Sequence, residues 1–231
     1  MLQKGIAASA TFLKSVRHPV KPLADTRLGK QSQLTTPWSD PTYIDEVAYG
    51  WSPDGQYVVS SSGRYKPGHM AIALVPVVAA PKAETEATMV TTSAEHRLWN
   101  TAMSPNGRWI CFQAVKGTTS RLALVASTGG DWRWLTDEGF WIDKPRWSVD
   151  GRLIYFVSSQ GGLFNVWAVA FDTERGAFIG EPFQVTRFDG SGEHLPSATL
   201  SLLDLAVGRD TLAMPVIDPT GGIWLLENVR R

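Results

Sequence analysis

Trp147-Ser148-Val149-Asp150-Gly151-Arg152 runs straight into Leu153-Ile154-Tyr155-Phe156-Val157. A short turn thus separates two β-prone runs. The same arrangement stands twice earlier, as Trp51-Ser52-Pro53-Asp54-Gly55 before Tyr57-Val58-Val59 and as Met103-Ser104-Pro105-Asn106-Gly107 before Trp109-Ile110-Cys111-Phe112. Proline presets φ for the second turn position, Asp or Asn tolerates the third, and glycine accepts the positive φ that closes the turn. Each copy therefore predicts a hairpin, with a β-branched and aromatic strand leaving it.

Working outward from the three copies, Ser52 and Ser104 are 52 positions apart and Ser104 and Ser148 are 44 apart, a period with room for several strands and typical of a propeller. Polar, threonine-containing runs at Gln31–Thr36, Thr88–Thr92, Trp132–Thr136 and Phe183–Phe188 each precede a repeat and read as outer strands. The expected fold is all-β: a β-propeller of four-stranded antiparallel blades, about four of them. The blades are expected at about 42–92, 96–136, 141–188 and 194–231, after an irregular lead-in over 1–30.

In the first repeat the expected strands are Val47–Trp51, Tyr57–Ser61, Ala71–Val77 and Thr88–Thr92. The second runs Trp99–Met103, Trp109–Ala114, Arg121–Ala126 and Trp132–Thr136, and the third Pro145–Trp147, Leu153–Ser158, Phe164–Phe171 and Phe183–Phe188. The fourth is degenerate. Gly208-Arg209-Asp210 replaces the turn between Leu202–Val207 and Thr211–Ile217, Gly222–Asn228 makes a third strand, and no fourth follows. A propeller must hide its first and last edges, so 31–36 is a candidate closing strand.

Leu135-Thr136, Asp143 to Arg152, Ile154 to Phe156 and Gly161 to Trp167 together resemble the TolB-like propellers, whose WD40-like repeat has a Trp-Ser-Pro-Asp-Gly core. The resemblance covers about Gln31 to Arg231. Its C-terminal run, Asp204 to Pro215 with Gly222 to Arg230, looks like the last blade of propellers in bacterial multidomain proteins, where the propeller follows a kinase or winged-helix domain. Related rings usually have six or more blades. An incomplete arc is therefore preferred to a closed four-bladed ring.

Composition narrows the function classes. Lys plus Arg and Asp plus Glu are 22 each, so no basic charge draws the chain to nucleic acid. No apolar stretch approaches a membrane span, and Gly5–Leu13 is too weak for a secretory signal, which slightly favours the cytoplasm over the periplasm. The single cysteine, Cys111, sits in an apolar run and reads as a small buried hydrophobe. Catalytic and metal signatures such as Gly-x-Ser-x-Gly, His-Glu-x-x-His and Cys-x-x-Cys are absent, and Gly190-Ser191-Gly192-Glu193-His194 has no group to orient a base. The turn residues Asp54, Asn106 and Asp150 read as turn formers rather than calcium ligands. Tryptophans 51, 109, 147, 167 and 224 are expected between blades, and burial is also expected for Trp132, Trp134 and Trp141.

The remaining site candidates lie where the chain enters an inner strand, at the mouth of a central channel: Asp45, Glu46, His96, Trp99, Asp143 and His194. Such positions suit a cation or a polar peptide group, although solvated loop ends are the blander reading. The expected function is a non-catalytic scaffold that binds protein or peptide at one face, with no cofactor and no metal. Unpaired blade edges are expected to permit a homodimer. Two alternatives are the regulatory propeller of a prolyl-oligopeptidase-like enzyme without its hydrolase domain, and a metal-dependent lyase or hydrolase working in the channel.

Overall fold

The computed structural model describes residues 47–63, 68–77, 87–189, 192–196 and 203–217; the strands expected at 31–36 and 222–228 lie outside these. The first sheet takes β1 (Val47–Trp51), β2 (Tyr57–Ser62), β3 (Met70–Pro76) and β4 (Thr88–Ser93) in that spatial order. The second takes β5 (Arg97–Met103), β6 (Trp109–Lys116), β7 (Thr119–Ala126) and β8 (Arg133–Trp134). The third takes β9 (Ile142–Trp147), β10 (Leu153–Ser158), β11 (Asn165–Asp172) and β12 (Ala177–Gln184). All neighbours are antiparallel, so each repeat is one up-and-down blade. A pair, β13 (Ala206–Val207) and β14 (Leu212–Ala213), follows.

The three turns share one hydrogen-bond plan, and the motif serine is its centre. Ser52, Ser104 and Ser148 each donate Oγ–H to Oδ1 of the Asx residue two positions on, at 2.5, 2.7 and 2.6 Å. Each Oγ also accepts the N–H of the residue that opens the next strand: Tyr57 at 2.9 Å, Trp109 at 3.0 Å and Leu153 at 2.9 Å. The Asx oxygen in turn accepts from Gln56, Arg108 and Arg152, and the glycines close the turns at φ of 70, 72 and 74°. In the two aspartate turns the serine hydroxyl first, and then the backbone N–H, hold the carboxyl below its ordinary range. Ser148→Ala is expected to destabilise the fold by about 1–2 kcal/mol, because the Leu153 N–H loses its acceptor. An unchanged urea midpoint would contradict this role.

A second device, built on threonine, completes the outer strands of the second and third blades. Thr136 and Thr186 accept the N–H of Leu122 and Val166 through Oγ1, at 3.0 and 2.9 Å, where a strand carbonyl would otherwise serve. This explains the threonines that follow the outer strands of the second and third blades. The second outer strand is shorter than expected, since pairing stops at Trp134 and the Leu135 N–H bond and Thr136 hydroxyl take over. The third begins earlier, at Ala177. Asp172 caps the N–H groups of Glu174 and Arg175, Gly176 returns the chain at φ 64°, and β12 pairs at once. The fourth repeat is less regular than its sequence suggested: Ile217 pairs with His194 instead of extending β14.

Alternation along the middle strands builds the stack. On β6, Ile110 and Phe112 face the first blade, in a cluster with Val59, Ile72, Val90 and Leu98. Cys111, between them, faces the third blade with Leu122, Ile154, Phe156 and Phe171. On β10, Val157 turns away from that cluster to meet Leu195, Leu203 and Leu205. Both faces of these strands are therefore buried, and their sequences are nearly continuous in apolar residues. Polar bonds set the blades in register: the Trp109 indole donates to Thr173 O at 2.7 Å and the Trp147 indole to Ala102 O at 2.9 Å. Trp109 also covers Gly176, where any Cβ would collide with its ring. Against expectation Trp51 is 56% exposed, because no described blade stands on its side to offer the matching carbonyl. Trp167 is half-buried, and Trp224 lies outside the described residues.

Candidate functional site

The inner strands β1, β5 and β9 each carry a bulge, and the bulges bring polar side chains of successive blades together. Asn100 and Lys144 occupy the same place relative to their motif serines, and both have positive φ, 49 and 52°. Asparagine tolerates that region; lysine does so at some cost in backbone strain. Asp143 Oδ1 accepts Asn100 Nδ2 at 2.7 Å and the Lys144 N–H at 2.7 Å, while Lys144 Nζ donates to Asn100 Oδ1 at 3.2 Å. Behind them Gln113 accepts the other Asn100 amide hydrogen at 2.9 Å and donates to Ser120 Oγ and Ile142 O. On one side the Tyr49 phenol lies near enough to the Asn100 backbone N–H for that group to favour its charged form; on the other Arg146 reaches Asp204 at 2.7 Å. The result is a polar belt crossing the inner strands β1, β5 and β9 and ending at Asp204, just before β13.

Its electrostatics follow from burial. Asp143 is 2% exposed, and desolvation raises its carboxyl above the ordinary aspartate range, against the Lys144 charge and N–H. Burial also pushes the Tyr49 phenol up to about 12, again opposed by the Asn100 N–H, so it stays neutral at physiological pH. The Trp141 indole N–H is near enough to favour the Asp143 carboxylate but lies outside hydrogen-bond geometry, and it has no other partner. With two internal donors on Oδ1, Asp143 serves the blade seam. The half-exposed cations Lys144 and Arg146 are what the belt turns outward.

The other sequence candidates sit elsewhere. His96 lies in the connection from β4 to β5, its ring edge-on to Trp132 and Trp134 at 5.6 and 5.3 Å, with Ser93 Oγ 3.4 Å from Nδ1. Burial, then the Lys116 charge, lowers its pKa, against Glu95. Trp99 is half-buried on β5 with the Arg97 guanidinium 5.7 Å above its ring. His194 is held by its backbone pairing with Ile217, and Gly192 O is 3.3 Å from its Nδ1. Asp45, Glu46 and Ser191 lie outside the described residues. No described contact joins His96, Trp99 or His194 to Asp143, and among the described residues no three His, Cys, Asp or Glu side chains gather closely enough to hold a metal ion. Cys111 is fully buried, and burial pushes its thiol far above the usual range.

Comparison with known proteins agrees with the topology. No family model matches the chain. Over 71 residues, 30% of this chain, it is 35% identical to the uncharacterized peptidase YuxL of Bacillus subtilis (strain 168), of which it spans 11%. TolB from Acinetobacter baumannii, 18% identical, superposes with a TM-score of 0.52 over 78% of this chain and 42% of its own. A puromycin-hydrolyzing peptidase of Mycobacterium tuberculosis, also 18% identical, gives 0.52 over 77% and 30%. The chain shares the β-propeller fold of these structures.

At these identities the likeness concerns the fold, and the chain spans less than half the length of each of these proteins. Antiparallel order puts two sets of connections at one end of the propeller stack: those from outer to inner strands, and those between second and third strands. That end carries His96, the exposed Phe140 (45%) and Leu163 (37%), and the surface ion pairs Lys116–Glu95 and Arg121–Glu138. The motif turns occupy the opposite end. Trp134, 36% exposed, departs from the expected burial; Trp132 and Trp141 are half-buried. The Trp132 and Trp134 rings meet at 4.6 Å and 85°, and Arg121 caps Trp134 at 4.0 Å, so the cluster is packed upon itself. Sequence reasoning singled out Asp143 and missed its partners Asn100 and Lys144. Only the shared offset of Asn100 and Lys144 from the motif serines hinted at them.

Proposed function

We propose that this propeller is a non-catalytic module that binds an extended protein segment at the end formed by the β4–β5, β8–β9 and β10–β11 connections. The observation that carries the reading is the combination there of exposed apolar side chains, Phe140 and Leu163, with charged residues, on blades locked by the inner belt. Apolar anchors inside a polar rim on a rigid support are the usual anatomy of a protein-binding surface. Random peptides displayed on phage and selected on the immobilised chain supply the test. An enriched peptide should bind Phe140→Ala about 30-fold more weakly, as for a hot spot near 2 kcal/mol. Val149→Ala, exposed at the opposite end, should leave its affinity unchanged. Absence of any enriched sequence, or equal weakening by both variants, would overturn the proposal.

Homodimerisation through blade edges is the less favoured part of this reading. The outer edge of β12 carries Glu181 and Pro182, which discourage strand-to-strand pairing. A second reading, the regulatory propeller of a peptidase, is favoured by the likeness to YuxL. A hydrolase domain encoded in the same reading frame would decide for it.

A further inference from the structure

We propose that Asn106 is a site of spontaneous deamidation that the folded turn holds shut and whose aspartate product the fold accepts. Asn106-Gly107 is the only Asn-Gly step in the chain. Glycine presents no side chain to hinder ring closure there. In the reaction the Gly107 nitrogen gives its proton to base and attacks Asn106 Cγ. The new C–N bond closes a succinimide as the Cγ–Nδ2 bond breaks and ammonia leaves, its extra proton coming from water. Water then opens the ring at either carbonyl, giving aspartate or isoaspartate, and no other reactant is needed.

Both reacting groups are committed elsewhere in the folded chain. The Gly107 N–H donates to Ser104 O at 2.8 Å, while Asn106 Oδ1 is held by Ser104 Oγ at 2.7 Å and by the Arg108 N–H at 3.1 Å. Attack requires the turn to open, so the rate follows the open population. The sister turns show what becomes of the products. Asp54 and Asp150 make the same two bonds as Asn106, at 2.5 and 3.0 Å and at 2.6 and 3.1 Å, so an aspartate at 106 keeps the hairpin. It also sets a carboxylate near Arg108, which now reaches Glu174 of the next blade at 2.6 Å; in the third blade Asp150 already lies 3.9 Å from Arg152. Isoaspartate adds a main-chain carbon inside the turn and displaces the Gly107 N–H from Ser104 O.

The test incubates the full chain at mildly alkaline pH, folded and in urea, and follows Asn106 by peptide mass mapping with separation of the two isomers. Deamidation at Asn106 is expected to be about tenfold slower or more in the folded chain, the ratio set by turn opening. Ser104→Ala, which removes one of the two bonds that hold the Asn106 carboxamide, should speed it in the folded state. Asn106→Asp should show no mass gain at this step and unfold at the urea midpoint of the unmodified chain. Equal rates in the two states, faster modification at Asn100, Asn165 or Asn228, or a Ser104→Ala rate equal to that of the parent would overturn the proposal. The folded-versus-urea comparison on the parent chain stands even if Ser104→Ala fails to fold.

Discussion

Phe112→Ala is expected to destabilise the propeller by about 3–5 kcal/mol, the range for truncating a buried phenylalanine. Phe112 is wholly buried on β6, between the first two blades, and supports Trp132 edge-to-face at 5.6 Å. Two sheets that meet through several strands cannot collapse into a gap of that size, so the cavity persists. Thermal unfolding should shift down by about 6–20 °C, given the roughly 2–4 °C per kcal/mol usual at this size. Phe112→Leu, which keeps most of the volume, should cost about 1 kcal/mol. A Phe112→Ala loss no greater than that would mean the seam between these blades relaxes freely.

Asp143→Ala ranks second, at about 2–4 kcal/mol, because it strips an acceptor from two donors, the buried Asn100 amide and the part-buried Lys144 N–H. Its pH signature separates it from a packing defect. Burial raises the Asp143 carboxyl in the folded state, so the fold binds that proton more tightly than the unfolded chain does. The stabilisation from the proton is complete below the ordinary aspartate value and is lost as pH rises through the raised folded value. Asp143→Asn retains an acceptor oxygen but has no proton to lose. Across that window the parent should therefore lose stability relative to Asp143→Asn as pH increases. Parallel stability curves from urea titrations would show that Asp143 keeps an ordinary pKa in the fold.

The unequal legibility of these features has a physical cause. Strand β10 and the inner strand β1 match their expected limits, because each adjoins a turn whose bonds span five residues or fewer. The outer strand β12 was misplaced because its start depends on the Asp172 cap and on Trp109 of the neighbouring blade packing over Gly176. Trp51 and Trp147 occupy equivalent motif positions, yet one is exposed and the other buried; among the described residues only Trp147 has a blade beside it to supply a carbonyl.

By itself the sequence determined the repeat, the hairpins and the four-stranded blade, since these rest on local turn chemistry and two-residue alternation. Only the tertiary structure decided that Asp143 belongs to a belt and that His96 belongs to an aromatic cluster. The Asn100–Asp143 bond spans 43 positions, and it forms because blade stacking sets β5 beside β9 and the bulges at Asn100 and Lys144 aim their side chains across the seam. Contacts of that kind depend on backbone curvature and on how sheets pack, and neither quantity is carried by residue order along one strand.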